Sequence, residues 1–426
     1  MSIIKAARKQ FSQEEPNSLA SLRQTYSVLS HDNAFIDEVM DCFSIEQDEN
    51  SMKMPLQVGN LKQLLTDINE LDQQCEKIDI SVNLKDIYIE HVLPNDHVLF
   101  NLFGIQDKTL IKKIMANNII VESEYSARTD ILEYYQLSRF ASFLHTVKLD
   151  SMAQDIWEAL RTSPQIQDKK CTARLVYRIK DKKYYIRAIT SEKGYKNYGI
   201  NFSILVALLA INEYVRNNHE HAFIESYDID DSRILMSIQF GRKILLSDDM
   251  YLTLNLILQN DEIRQSSVSI NAAFKVVHKI GNLENGIYIK PDKYLKEHGT
   301  HSQDMLTFSH GMNVKTAINK ISALPDLIEK YITIISKEAV KIKSLKNPAH
   351  VKEYIQKTIQ NARKDYFIGY KEEIVNKLAS IQVNTIFELF DLLRNIEELF
   401  GEDIKSRNFW REKLYDALVN QGKSDK

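Results

Sequence analysis

Basic and aromatic side chains are interleaved along one short stretch of the chain, residues 168–197. The stretch carries ten bases against three acids, a local charge of +7. Cations neutralise nucleic-acid phosphates and release counterions, and aromatic rings stack on unpaired bases at roughly 1–3 kcal/mol each. We therefore predict a nucleic-acid-binding surface in which arginines and lysines contact phosphates and tyrosines stack on bases. Its residues are Lys169, Lys170, Arg174, Tyr177, Arg178, Lys180, Lys182, Lys183, Tyr184, Tyr185, Arg187, Lys193 and Lys196.

This basic stretch has the sequence pattern of a β-hairpin. Residues 172–179 and 183–189 are rich in strand-forming residues, and Lys-Asp-Lys separates them as a short polar turn. Because strand residues alternate between faces, Arg174 and Arg178 share a face, and the charges should form an open ridge. The alternative is a solvated hairpin whose lysines protect an edge strand from aggregation.

A second basic zone covers residues 337–371, with nine bases against three acids. Its basic residues are Lys337, Lys341, Lys343, Lys346, Lys352, Lys357, Arg363, Lys364 and Lys371. If these helices packed beside the hairpin, both zones would line one groove for DNA or RNA. Lysine is also common on the solvated face of an amphipathic helix, and that interpretation needs no ligand.

Histidines cluster once, near residue 300. The spacing of His298, His301 and Asp304, followed by His310, places imidazole and carboxylate groups at helical steps. Such groups suit zinc or manganese and would support a metal-dependent hydrolase. The pattern is not HExxH, however, and Gly299 weakens a helix there, so loop histidines without metal are the alternative.

Other catalytic signatures are absent from the sequence. It contains neither a Gly-x-Ser-x-Gly elbow nor a Walker-type glycine-rich loop. The acidic pairs at 230–231 and 248–249 are typical of turns. The three cysteines lie far apart, which excludes a disulfide framework and a thiolate zinc site. We predict no cofactor and a binding function rather than an enzymatic one.

The composition indicates a folded protein of more than one domain. The 426 residues carry a net charge of −3, with 44% apolar residues and few glycines or prolines. The charge is uneven, because residues 31–75 carry ten acids against two lysines. The longest apolar run, 204–211, is too short for a membrane span, and no secretory leader opens the chain. We expect a cytoplasmic protein without membrane contact.

Hydrophobic periodicity predicts an α+β fold. Residues 1–75 show helical spacing, residues 76–300 mix strands with helices, and residues 301–426 are helical again. We therefore expect a central mixed or antiparallel sheet with helices, flanked by a helical N-terminal part and a helical C-terminal domain. Three details can be checked. They are a half-buried strand indicated by the alternation of apolar residues at 78–84, a hairpin around Gly241, and a kink or new helix at Pro325.

Three stretches between about residues 85 and 290 occur in a characteristic order. They are Leu-Pro-Asn-Asp-His-Val-Leu-Phe-Asn-Leu-Phe-Gly-Ile at 93–105, Arg-Ala-Ile-Thr-Ser-Glu-Lys-Gly-Tyr at 187–195, and Asn-Asp-Glu at 260–262 before Val-Ser-Ile at 268–270. In this order they resemble a phage/plasmid-like family of unknown function. The resemblance implies a setting in mobile DNA or its control and no particular mechanism.

The chain departs from that family at one turn. Where the family usually has Cys-Thr-Asn-Gly, this sequence has Phe-Lys-Val-Val-His-Lys at 274–279. Any function attached to that turn is therefore not expected here. The first 75 residues and the C-terminal helical part lie outside the resemblance.

Three functional hypotheses follow. The first is a non-catalytic nucleic-acid-binding accessory protein of phage or mobile-element DNA metabolism or defence. The second is a subunit of a protein assembly, in which the acidic N-terminal segment or the apolar-striped helix at 313–345 docks on a partner. The opposite charges at 31–75 and 168–197 could equally meet each other, within one chain or between chains. The third is the metal-dependent hydrolase.

Overall fold

The structure is a computed structural model. The residues it describes are 7–93, 97–125, 127–133, 136–164, 169–263, 266–291, 294–295, 301–302, 305–343, 345, 347–362, 369–401 and 404–420. The predicted α+β class is confirmed. Helices alternate along the chain with the strands of two large sheets, and further helices lie in the N- and C-terminal regions.

Fifteen α-helices lie within the described ranges. They are α1 Leu22–Leu29, α2 Ile36–Cys42, α3 Glu49–Lys53, α4 Leu61–Asp72, α5 Lys108–Ile114, α6 Ala127–Glu133, α7 Ser138–Thr146, α8 Asp150–Arg161, α9 Ile200–Asn218, α10 Val314–Ser322, α11 Leu324–Lys343, α12 Pro348–Asn361, α13 Lys371–Ser380, α14 Ile386–Glu397 and α15 Ile404–Tyr415. Short 3₁₀ turns cover Leu84–Asp86 and Glu398–Phe400, and a π-turn covers Asp416–Asn420.

Sixteen strands lie within the same ranges. They are β1 Ala7–Gln10, β2 Cys75–Asn83, β3 Ile87–Val92, β4 Val98–Leu102, β5 Ile119–Ser123, β6 Lys170–Arg178, β7 Lys183–Ser191, β8 Ala222–Ile229, β9 Arg233–Phe240, β10 Ile244–Ser247, β11 Met250–Asp261, β12 Val268–Ile280, β13 Leu283–Ile289, β14 Tyr294–Leu295, β15 His301–Ser302 and β16 Leu306–Phe308.

The strands form two large sheets. The larger, eight-stranded sheet is antiparallel with the order β1-β8-β9-β11-β12-β13, and β10 and β16 join it beside β11 and β12. The six-stranded sheet has the order β2-β6-β7-β5-β4-β3, and only its β5–β7 pair is parallel. Strands β14 and β15 form a separate pair.

Two hydrophobic cores correspond to these sheets. The larger core joins the eight-stranded sheet, α9 and helices from both ends of the chain. Helix α9 is buried on all sides from Ile200 to Ile211, which matches the continuous apolar run at 204–211. The smaller core lies between the six-stranded sheet and α5, α6 and α8, around the buried Trp157.

The hairpin β6–β7 contributes to both cores. Ala173 and Leu175 belong to the smaller core, and Val176 belongs to the larger one. Strand residues alternate between faces, so Arg174 and Arg178 lie on the face of Val176 and point toward the larger core. This placement decides what the arginines can do.

Several elements follow the sequence prediction and two differ from it. The predicted strand at 78–84 and the hairpin at 172–189 are confirmed as β2 and β6–β7. Pro325 is the second residue of a new helix, α11, which follows α10 after one intervening residue. The helical N-terminal part also contains strand β1, which pairs with β8.

The prediction of a hairpin around Gly241 is wrong. Strand β9 pairs with β8 on one side and β11 on the other, so both its edges are occupied, and β10 pairs with β11 instead.

No helix within the described ranges is both long and apolar enough to cross a bilayer.

Candidate nucleic-acid interface

The basic hairpin lies inside its sheet and not at an edge. Strand β6 pairs with β2 along nine residues, from Cys75↔Arg178 to Asn83↔Lys170. Strand β7 pairs with β5 on its far side. The alternative interpretation, lysines that protect an edge strand, therefore does not apply to this hairpin, because both outer edges are covered at least in part.

The three arginines of the hairpin are buried. Arg174, Arg178 and Arg187 are 1%, 5% and 0% exposed. Arg187 is the extra residue of a β-bulge, since Arg174 is opposite Ala188 and Leu175 is opposite Ile186. The prediction that these arginines form an open ridge is therefore wrong, because each side chain lies within the protein.

An acidic side chain lies beside each of the three guanidinium groups. Arg174 Nη2 lies 3.1 Å from Asp79 Oδ2, and Arg178 Nη2 lies 2.6 Å from Glu124 Oε1. Arg187 Nη1 donates to Glu262 Oε2 at 2.8 Å. Buried ion pairs of this kind are costly to break, because the partner left behind is a desolvated charge.

Glu262 is the centre of this buried network. It follows β11, and its Oε1 accepts hydrogen bonds from Lys77 Nζ at 2.9 Å and from the Ile200 N–H at 3.0 Å. Burial alone would raise the pKa of Glu262, but the nearby cations of Lys77, Arg187 and Arg174 hold it well below its ordinary value. The network thus joins both sheets and the first residue of α9.

The tyrosines of the hairpin divide into two groups. Tyr185 is only 9% exposed, and the guanidinium of Arg178 lies 4.4 Å from its ring centroid. The prediction that Tyr185 offers an open face to a base is therefore wrong. Tyr177 and Tyr184 are half-buried at the turn end of the hairpin, and their ring centroids are 4.7 Å apart. They lie on the face of the hairpin opposite to Arg174 and Arg178.

The seven lysines predicted for the surface are all exposed, but they lie at two ends of the hairpin. Lys180, Lys182 and Lys183 surround the turn, and the other four are Lys169, Lys170, Lys193 and Lys196. The pairs Arg178↔Lys183 and Cys171↔Ser191 mark the two ends. At about 3.3 Å per residue the ends lie roughly 23 Å apart, so the lysines form two groups and not one ridge.

Helix α5 adds basic residues to the turn end of the hairpin. Lys112 and Lys113 lie in its last turn, and Lys113 Nζ donates to Glu76 Oε2 at 2.6 Å. Glu76 is opposite Tyr177 in the sheet. Burial raises the pKa of the Tyr184 phenol and the ammonium of Lys113 opposes that shift, which places Lys113 beside the ring pair.

We call this surface the hairpin tip. Its residues are Lys112, Lys113, Tyr177, Lys180, Lys182, Lys183 and Tyr184. All five lysines are exposed, and two acidic side chains offset part of their charge: Glu76, which accepts from Lys113, and Asp181 within the turn. Lys112 and Lys113 were missed by sequence analysis, because their only signal is an adjacent lysine pair more than sixty residues before the turn.

The second basic zone lies on helices of the larger core. Helix α11 packs on α9 and β10, and α12 packs on α13 and α14. Lys352 and Lys371 donate to backbone carbonyls, those of Ile381 and Ala362. Lys346, Arg363 and Lys364 lie outside the described residues. A groove shared with the hairpin stays a prediction.

The histidine cluster is only partly described. His298 and Asp304 lie outside the described residues, and of His301 only the backbone, in β15, is described. His310 is buried, and its Nδ1 lies 3.1 Å from the carbonyl oxygen of Lys196. The metal site therefore stays a prediction. Among the described residues His31, Asp32 and Asp72 form a mostly exposed group with metal-ligand chemistry, which sequence spacing did not reveal.

Comparisons with protein-family models, with curated proteins and with solved structures found no match. Support for a function therefore comes from the geometry and charge of the described residues.

Proposed function

We propose that the protein binds nucleic acid at the hairpin tip and acts there as a binding protein rather than an enzyme. The observation that supports this is the ring pair Tyr177–Tyr184 at the end of the hairpin where the turn lysines are exposed. Lysine ammonium groups neutralise phosphates without reading sequence, so the binding should be strongly salt-dependent and weakly sequence-specific. The buried arginines take no part, because they are held by Asp79, Glu124 and Glu262.

The ring pair favours single-stranded or distorted nucleic acid over regular duplex. A base stacks on tyrosine only when it is not already stacked within a helix. Ile179 lies two residues after Tyr177 and is 51% exposed, so it adds apolar surface for an unpaired base. Both DNA and RNA strands provide the required phosphates and bases.

The biological setting belongs to the same proposal. The resemblance in residues 85–290 implies mobile DNA, so we propose an accessory role in phage or mobile-element DNA metabolism or in defence against it. A strand held at the hairpin tip would be presented to a partner that supplies the chemistry.

The experiment compares two triple variants that change charge equally. Lys180→Glu, Lys182→Glu and Lys183→Glu together reverse the hairpin tip, and Lys169→Glu, Lys170→Glu and Lys193→Glu together reverse the far end. Binding of fluorescent 20-mers of dT and rU is measured by anisotropy from 50 to 200 mM salt. We expect the tip variant to lose at least ~100-fold in affinity and its salt slope to fall by about 2.

The far-end variant is the matched control and should bind within about threefold of the wild type. Equal losses in both variants would show that only overall charge matters. Absence of wild-type binding to either oligonucleotide would refute the proposal.

Charge complementarity between copies of the chain is a second candidate. The residues of one acidic surface are exposed: Asp32, Asp37, Glu38, Asp41, Glu46, Asp48 and Glu49. This surface of one copy could meet the hairpin tip of another. By contrast, the apolar stripe of α11 is buried in the chain's own core, which gives docking through that stripe no support.

Light scattering separates this candidate from nucleic-acid binding. Self-association that weakens between 50 and 300 mM salt, together with no affinity for oligonucleotides, would support assembly between copies. A monomer at every salt concentration would exclude it.

A further inference from the structure

A cavity of about 670 Å³ lies between one face of the eight-stranded sheet and the helices α14 and α15. Strands β1, β8, β9, β11, β12 and β13 all contribute residues to it. Its volume falls within the range of about 300–1,000 Å³ that is typical of small-molecule sites. The cavity is therefore large enough for a small organic ligand.

Basic side chains outnumber acidic ones on the wall of this cavity. The six basic residues are Arg8, Lys9, Lys275, Arg394, Arg407 and Arg411, and the four acidic ones are Glu225, Asp228, Glu397 and Glu398. The wall thus carries a surplus of two positive charges. What the cavity can bind depends on which of these groups already have partners.

Several of the basic side chains are paired with acids. Arg8 Nε lies 2.9 Å from Asp228 Oδ2, and Arg411 Nε donates to Glu397 Oε1 at 2.9 Å. Arg394 makes an ion pair with a carboxylate of its own helix. These arginines need no ligand to compensate their charge.

The Glu225 carboxylate is occupied by uncharged donors. Its Oε2 accepts from Ser237 Oγ at 3.0 Å and from Asn255 Nδ2 at 2.7 Å, and its Oε1 accepts from the Tyr288 hydroxyl. Glu398 is exposed to solvent. Neither acid makes an ion pair with a basic residue of the wall among the described residues.

Lys275 is a half-buried cation without an acidic partner in the described part of the chain. Its Nζ lies 5.6 Å from the ring centroid of Tyr288, the residue opposite it on β13. A Cβ atom at Gly286 would lie 2.9 Å from Lys275 Cε, so glycine leaves room for the lysine on this face of the sheet. Lys275 Nζ is not among the fully buried atoms, and an ammonium only donates hydrogen bonds.

Arg407 is the second such cation. Its Nη2 donates to the carbonyl oxygen of Gly401, its Nε is buried without a partner, and Nη1 stays accessible. Burial and the Arg411 guanidinium lower the pKa of Arg407, although Glu397 and Glu225 oppose that shift. The surroundings thus disfavour the charge of Arg407, and a bound anion would stabilise it.

We propose that this cavity binds a small oxyanion with at least two negative charges, the chemistry shared by phosphorylated metabolites and polycarboxylates. Lys275 Nζ and Arg407 Nη1 would donate to its oxygens in charge-assisted hydrogen bonds. Because both groups only donate and both are cationic, they select an anionic acceptor over a sugar or a cation. The site lies on the sheet that does not contain the hairpin tip, and the proposal does not depend on nucleic-acid binding.

Isothermal titration calorimetry on the full chain tests the proposal, with pyrophosphate and citrate as probes at pH 7.5 and 50 mM salt. We expect the wild type to bind at least one probe, and the probe that binds identifies the source of the oxyanion. Lys275→Gln and Arg407→Gln should each weaken binding ~10-fold or more, because each removes a charged hydrogen-bond donor. Arg23→Gln with Lys315→Gln, which removes two exposed charges on α1 and α10, is the control and should bind within about twofold of the wild type.

Gly286→Ala separates the geometry of the site from its charge. The variant keeps every charged group but places a methyl group where Lys275 Cε lies, so it should weaken binding while circular dichroism shows a folded protein. Binding of neither probe by the wild type would overturn the proposal, as would equal losses in the control. Weaker binding of a dT 20-mer by Lys275→Gln and Arg407→Gln would assign the cavity to a nucleic-acid strand and also overturn it.

Discussion

Arginine and lysine occupy different environments in the same hairpin. The arginines at 174, 178 and 187 point into the protein, where carboxylates from other elements hold them. The lysines at 180, 182 and 183 surround the turn and are exposed. A guanidinium group is more weakly hydrated than an ammonium and makes several directed hydrogen bonds, so it is better suited to a buried ion pair. A high local charge therefore indicates a basic surface only after the buried cations have been subtracted.

Removal of one buried cation should have the largest effect on stability. Arg187→Met leaves the carboxylate of Glu262 desolvated with one cation fewer, and we expect the free energy of unfolding to fall by about 3–5 kcal/mol. Guanidinium denaturation monitored by circular dichroism measures this change. A loss below 1 kcal/mol would mean that the network does not stabilise the fold.

The pH dependence of stability should reveal Glu124 in the same network. Burial raises the pKa of Glu124 to about 7, although Arg178 opposes the shift. The folded state thus binds a proton that the unfolded chain has already released, and this contribution to stability is lost as pH rises from about 4.5 to 7. We expect a decrease of at most about 3 kcal/mol across that range.

Glu124→Gln should remove most of this pH dependence. The variant also changes the polar contact of residue 124 with Arg178, so the informative quantity is the difference between pH 5 and pH 7.5 and not the absolute stability. A wild-type difference that persists unchanged in the variant would assign it to other groups.

The ring pair of the tip should have a smaller effect, mainly on binding. Tyr177→Ala and Tyr184→Ala should each weaken oligonucleotide binding by about 1–3 kcal/mol, because each removes a stacking surface. Loss of the ring contact should cost stability about 1 kcal/mol. Tyr354→Ala, an exposed tyrosine on α12, is the control and should leave anisotropy titrations unchanged.

The smallest change in stability is expected at the lysines of the turn. Lys180→Gln, Lys182→Gln and Lys183→Gln together should alter the free energy of unfolding by no more than about 0.5 kcal/mol, since exposed side chains lose little on unfolding. The same denaturation assay as for Arg187→Met makes the contrast direct. A loss comparable to that of Arg187→Met would show that the lysines of the hairpin tip contribute as much to stability as the buried network does.

Local periodicity made much of the fold predictable. The alternation at 78–84 and the two runs around Lys180-Asp181-Lys182 predicted β2 and the hairpin correctly, because each depends on neighbours in sequence. The pairing of β10 with β11 was missed, because pairing depends on which strand edges remain open.

Burial of the arginines could not be predicted in the same way. Their carboxylate partners Asp79, Glu124 and Glu262 lie 95, 54 and 75 residues away in sequence, and no spacing relates them. The bulge at Arg187 is equally invisible to a period-two pattern. The exposed lysines were predicted better, because a flexible charged chain next to a turn stays in water unless a partner draws it inward.

Helix α9 has a consequence for how a nascent chain becomes folded. Its apolar surface is covered on one side by α1, which is synthesised earlier, and on others by β11, α10 and α11, which are synthesised later. Until residue 343 has left the ribosome, part of the apolar surface of α9 lacks the elements that pack against it in the native fold. Chaperone capture during translation, and aggregation of chains truncated before α10, are therefore expected of this topology.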